Sequence, residues 1–247
     1  MITSVDQFSD NGGIFISSHN VAKQQLAKLA RRHGFTVKRN CCYRVTSGGV
    51  LQLLKIEYDP RFSLFEINIG LYSLYSELSP HWLTPGGCIL RYPVVALAGI
   101  QHSDDISIDT QISILRTAGF TWLDTITNQC DLVQAMCDIE THLYGKTQWI
   151  DSFKIAPFLI LGDYVSAKRV IVSILQQHVG PDYWTTESWT ESDYEEYKIR
   201  YPDQDKRMLE ILDWIHLSNN DAINDYLKSN FTANAKQIDF IHPTFFA

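Results

Sequence analysis

No apolar run in this 247-residue chain approaches the ~18 residues that a membrane-spanning helix needs, so no membrane protein of the helical kind is expected. The opening MITSVDQFSDNGG carries acidic residues where a secretory leader carries basic ones, and no apolar segment follows. Cysteine is scarce and odd in number. The five (Cys41, Cys42, Cys88, Cys130 and Cys137) do not form the evenly paired framework of a small disulfide-stapled domain. Adjacent Cys41 and Cys42 would point to opposite faces of a strand, a poor geometry for a bridge or a shared metal. Reduced thiols packed as small apolar groups in a cytoplasmic protein are the expectation.

Also missing are a phosphate-binding loop, a nucleophile elbow and a paired metal-ligand motif. The glycine pairs of TSGGV and TPGGC read as turns. CDIETH offers Cys137, Asp138, Glu140 and His142, with Asp138 and His142 four apart on one helical face. A metal would need further ligands from elsewhere, and a solvated helix face is the simpler account. His81, His102 and His242 sit beside turn or proline-rich segments and form no pattern. No catalytic residue, cofactor ligand or metal ligand is therefore assigned, and an enzyme is not expected.

What is present is the mixture of a globular protein, 45% hydrophobic and 20% charged. In SSHNVAKQQLAKLARRHGF, residues Val21, Ala22, Leu26, Leu29 and Ala30 recur at helical spacing. Ser18 or Asn20 could cap the start, and Gly34 suits a left-handed stop. Strand-like segments follow: FTVKRNCCYRV, VLQLLKIEY, SLFEINIGLY and a stretch over about 88–98, with turns at Ser47-Gly48-Gly49 and Asp59-Pro60. Alternation of Phe65, Ile67, Ile69 and Leu71 with Glu66, Asn68 and Gly70 predicts a half-buried strand. From about residue 105 the spacing turns helical. Ile112, Leu115, Gly119, Trp122 and Ile126 share one side, as do Leu132, Met136, Ile139 and Leu143. PFLILGDYVSAKRVIVSILQQHVG reads as two helices joined at Gly162-Asp163. DKRMLEILDWIHL and NDAINDYLKSNF are two more, the second capped by Asn219 or Asn220. Strands first and helices after predict an α+β fold: a helix and antiparallel meander over 1–103, then a helical region over 104–247, packed as one unit.

Charge is segregated along the chain. Residues 1–55 hold eight basic and two acidic side chains, whereas residues 182–229 hold five basic and twelve acidic. Arg31, Arg32, Lys38, Arg39 and Arg44 could contact phosphates, but no groove-reading motif accompanies them. They also serve a helix end and a strand edge, so nucleic acid is disfavoured as a partner. DYWTTESWTESDYEEY, at 182–197, has six carboxylates, five aromatic rings and no Lys or Arg. Carboxylates steer a cationic protein inward and Trp or Tyr anchor it. The expected partner-binding residues are Trp184, Glu187, Trp189, Glu191, Asp193, Tyr194, Glu195 and Glu196, at the start of an acidic region over 182–213.

One resemblance adds to this reading. A helix ending in Gly34-Phe35, a Tyr43-Arg44 strand, an apolar strand over Leu51 to Ile56 and the run Phe65-Glu66-Ile67-Asn68-Ile69-Gly70 resemble a bacterial family known as domain of unknown function 4304. The similarity covers about residues 20–100. It implies no reaction, cofactor or catalytic residue, but small accessory proteins of this kind often accompany bacterial toxins as immunity proteins or antitoxins. The expectation is then a cytoplasmic protein that neutralises a basic protein toxin by occluding it. An enzyme or small-ligand protein with a site between sheet and helices, and a scaffold or interaction module, are the alternatives.

Overall fold

The fold is α+β. The computed structural model describes residues 10–38, 41–59, 64–77, 90–100, 106–139, 152–179, 199 and 206–238. In chain order the helices are α1 (Asp10–Arg32), α2 (Ile108–Ile114), α3 (Phe120–Thr125), α4 (Gln129–Ile139), α5 (Ile155–Ile160), α6 (Tyr164–Val179), α7 (Lys206–His216) and α8 (Asn220–Gln237). The strands are β1 (Thr36–Lys38), β2 (Cys41–Val45), β3 (Val50–Asp59), β4 (Leu64–Ser73) and β5 (Leu90–Pro93), and they form one sheet in sequential order. Among the described residues no helix is long and apolar enough to cross a membrane.

Contacts divide the chain into two compact units. The first comprises Met1–Thr46, Leu51–Leu71 and Ser79–Ile126; the second comprises Ser47–Val50, Tyr72–Leu78 and Thr127–Ala247. In the first, α1 ends where the sequence expects. Gly34 takes φ +79° and the Phe35 N–H reaches back to the Ala30 carbonyl at 3.1 Å, closing the helix in a left-handed turn that glycine adopts without steric cost. Its start differs from expectation. The helix begins at Asp10, so Ser18 and Asn20 lie inside it rather than capping it.

Three further strand expectations are corrected. FTVKRNCCYRV is two strands: β1 and β2 pair antiparallel with Thr36 opposite Tyr43 and Lys38 opposite Cys41. β5 stops at Pro93, which lies opposite Asn68 and has no N–H to continue the ladder; Val94–Ala98 is a 3-10 turn. β4 is buried on both faces rather than one. Asn68 is only 5% exposed; its amide nitrogen donates to Glu57 at 3.2 Å and Glu66 at 3.1 Å, which offsets part of the cost of covering it, while its Oδ1 has no partner among the described residues. The buried core of this unit draws Leu26 and Leu29 from α1, Leu51, Leu53, Ile67 and Ile69 from the sheet, and Leu115, Phe120 and Leu123 from the α2–α3 segment.

In the second unit, Leu132, Met136 and Ile139 of α4 are buried as their spacing predicts; Leu143 lies outside the described residues. Asn128 caps α4, its side-chain oxygen accepting the Cys130 and Asp131 N–H groups at 2.9 and 3.1 Å. Asp131 returns the contact by accepting from the Thr127 and Asn128 N–H groups, which is a capping box. Gly162 at φ +70° and Asp163, whose carboxylate accepts the Ser166 N–H at 3.0 Å, turn α5 into α6. Asn219 rather than Asn220 caps α8, accepting the Ala222 N–H at 3.2 Å. Ile155, Leu159, Ile171, Leu175, Leu209, Leu212, Ile223 and Leu227 from α5 to α8 form one apolar cluster.

Candidate functional site

The eight residues expected to bind a partner, Trp184, Glu187, Trp189, Glu191, Asp193, Tyr194, Glu195 and Glu196, lie outside the described residues. So do Arg39, Cys88, Glu140, His81, His102, His142 and His242. At the end of α4, Asp138 accepts from Gln134 at 2.9 Å, a contact along one helix face. Among the described residues no group of three or more metal-ligating side chains comes together.

Arg44, one of the cations weighed for phosphate contact, is committed within its own unit. Its Nε donates to Gln52 at 2.6 Å, one guanidinium nitrogen donates to the His33 carbonyl at 3.1 Å, and another pairs with Asp124. The guanidinium also lies 4.7 Å from the centre of the Phe35 ring. Gln52, fully buried, donates onward to the Leu123 and Ile126 carbonyls at 2.7 and 2.8 Å. Arg44 thus fastens sheet to helix ends, each of its three guanidinium nitrogens engaged by a group of its own unit.

Of the vicinal thiols, Cys42 is packed away as expected and Cys41 is half-buried. Cys42 is 3% exposed, and burial, with a smaller contribution from Cys41 and opposed by Arg31, pushes its pKa from 9.0 to about 12. The folded state therefore keeps a proton that the unfolded thiol loses above pH 9. Its stabilising contribution is whole below pH 9 and declines as pH rises towards 12. We expect Cys42→Ala to flatten the alkaline fall in stability measured by urea unfolding. Alkylation of the folded chain should reach exposed Cys130 well before Cys42; equal rates would contradict this.

The second unit holds a cleft of about 400 Å³. Tyr72, at the end of β4, and Ser76 and Glu77, in the turn after it, supply one wall. Phe153 and Ala156 supply another, and Lys206, Arg207 and Met208 from the first turn of α7, with Tyr226 of α8, complete it. Two side-chain amides on α8, buried Asn234 and half-buried Asn230, hold the β4 turn in place. Asn234 donates to the Leu74 and Ser76 carbonyls at 2.7 and 2.8 Å, and Asn230 donates to the Tyr75 carbonyl at 3.1 Å.

Inside the cleft the Tyr72 hydroxyl donates to the Glu77 carbonyl at 2.6 Å. Burial, then Tyr226 and Glu77, raises the Tyr72 pKa. The Tyr226 pKa is raised first by burial and then by Glu77. Both phenols stay neutral across ordinary pH and serve as hydrogen-bonding hydroxyls rather than phenolates. Phe153 meets Tyr72 edge-on at 5.7 Å, and Arg207 lies 5.5 Å from the centre of the Tyr226 ring while pairing with Glu210. The combination of aromatic walls, neutral hydroxyls and two cations at the rim suits recognition of a flat or aliphatic group that ends in an anion. The sequence reading missed these residues, because Tyr72, Phe153, Arg207 and Tyr226 share no spacing that marks them as neighbours. No protein-family model matches the chain, and no curated protein and no solved structure is significantly similar to it.

Proposed function

We propose that this is a cytoplasmic binding protein that captures a basic protein partner, in the manner of an immunity protein or antitoxin that occludes a toxin. The observation that carries this reading is the 182–197 stretch, in which six carboxylates and five rings occur without one Lys or Arg. Such a stretch draws a cationic protein by long-range attraction and holds it through desolvated aromatic contacts. The resemblance of residues 20–100 to domain of unknown function 4304 supports the same reading through the company such proteins keep.

The test is capture of a basic partner by the tagged chain from extract at low and moderate salt. A Glu187→Lys, Glu191→Lys, Glu195→Lys, Glu196→Lys variant, with circular dichroism and thermal midpoint unchanged, should lose capture at least tenfold, since each 1.4 kcal/mol is a factor of ten and four contacts change sign. Undiminished capture by the folded variant would refute the assignment of these carboxylates.

A second reading rests on the Tyr72–Tyr226 cleft, whose volume falls within the range of small-ligand sites. It predicts that a small aromatic or aliphatic carboxylate raises the thermal midpoint, and that Tyr226→Ala removes the effect. No shift with any such ligand would count against it.

A further inference from the structure

Between Asn20 and Arg32, α1 carries four cations and no carboxylate: Lys23, Lys28, Arg31 and Arg32. Arg31 and Arg32 lie in the last turn, where cations suit the helix dipole. Lys28 has no such account, and like charges one turn apart, as Lys28 and Arg32 are, repel each other. Both line a groove of about 370 Å³ that α1 forms with α2. Its floor is buried Leu29 and Ile112, and its far wall contributes Ser113 and Arg116.

Arg116 stands on that wall at the start of an irregularity. After Ile114 the helix widens into a π turn over Leu115–Gly119 before α3 resumes. Such turns are rare and concentrate at functional sites. Here Leu115 and Phe120 remain buried, while Arg116 is exposed and joins Asp109, Ile112 and Ser113 along one face at helical spacing. Gly119 ends the turn close against Leu115: a Cβ there would stand 2.6 Å from a Leu115 methyl, which would have to shift. The groove's carboxylate, Asp109, sits in the first turn of α2, where the helix dipole accounts for it.

We propose that this groove binds the phosphate of a small phosphate ester, with Lys28, Arg32 and Arg116 as its cationic contacts and Ser113 as a neutral donor. Arginine's planar fork matches a phosphate through two parallel hydrogen bonds, and a lysine adds a point charge. The volume admits a small molecule, and the chain's net charge of −7 opposes the approach of a long polyanion. This site is independent of the acidic stretch and of protein capture.

The test follows the arginine Nε–H resonances of the full chain in chloride buffer as inorganic phosphate, a nucleoside 5′-monophosphate and a short single-stranded DNA are added in turn. Saturable shifts at Arg32 and Arg116 with phosphate, and tighter binding of the monophosphate, are expected. Arg116→Gln should weaken both about tenfold, the loss of one charge-assisted contact, while Arg116→Lys should retain part of the affinity. No saturable shift, or an unchanged affinity in Arg116→Gln, would overturn the site. Tighter binding of the DNA than of the monophosphate would overturn the small-ester assignment.

Discussion

Replacing Gly48 by alanine should lower the unfolding free energy by about 3 kcal/mol, the upper part of the range for overpacking a tight contact. A Cβ at this position would lie 2.5 Å from both the Asn128 Cα and the Thr127 carbonyl oxygen. These are backbone atoms, so no rotamer change relieves the clash. They are also held by the Asn128–Asp131 capping box, which fixes the start of α4. The turn must therefore withdraw, forfeiting the Gly48 N–H bond to Thr127 at 3.1 Å and the Gln129 amide's bond to the Gly48 carbonyl at 2.7 Å. Gly49→Ala should cost less. Its φ of +74° adds strain of about 1 kcal/mol for a residue with a side chain, but the atom its Cβ meets at 2.6 Å belongs to the Tyr75 ring, which can swing aside. Urea unfolding of the two variants checks the ranking, and native stability in Gly48→Ala would refute the contact.

Gln52→Leu is the second large effect, expected to cost about 2–4 kcal/mol. Gln52 interrupts an otherwise apolar buried run from Val50 to Leu54, where a shape-matched Leu looks harmless by hydrophobicity. Its amide, however, is the hub between the Arg44 guanidinium and the last carbonyls of α3. The Leu123 carbonyl keeps a bond from the Ile126 N–H at 3.1 Å, so it retains a partner. The Ile126 carbonyl and the Arg44 Nε lose theirs in a water-poor setting, and each orphaned group costs about 1–3 kcal/mol. The measurement is equilibrium denaturation together with amide exchange at the α3 end, which should quicken. Unchanged stability would mean that the network is decorative. A double substitution, Gln52→Leu with Arg44→Met, should recover part of the loss because it removes the stranded donor as well.

The Gly34 stop, the Asn219 cap, the Gly162–Asp163 joint and most of the core stripes were legible because each depends on residues close in sequence; the start of α1 was not, and Val21, expected on its apolar face, is exposed. Gly34, Asn219, Asp163 and the buried Leu132, Met136 and Ile139 all follow from spacing within a turn or two. The split of FTVKRNCCYRV into two strands was not legible, since a continuous β-prone run says nothing about where it folds back. Nor was the early end of β5. Pro93 signals a ladder problem, but only pairing with Asn68 shows where the ladder meets it. The two-sided burial of β4 eluded the period-2 pattern for a related reason. Asn68 looks solvent-facing until Glu57, on the neighbouring strand, supplies an acceptor for its amide.

The candidate sites divide along the same line. Segregated charge, and the acidic, aromatic stretch at 182–197 with it, is a property of composition and was determined by the sequence alone, as was the α+β class, because binary patterning chooses helix or strand residue by residue. Tertiary structure alone decided that the helices of 108–125 join the sheet-bearing unit, that Tyr72, Phe153, Arg207 and Tyr226 share a cleft, and that Arg116 meets Lys28 and Arg32 across a groove. Each of these brings together groups from distant segments, and chain distance carries no information about which surfaces will be buried against one another until the core is packed.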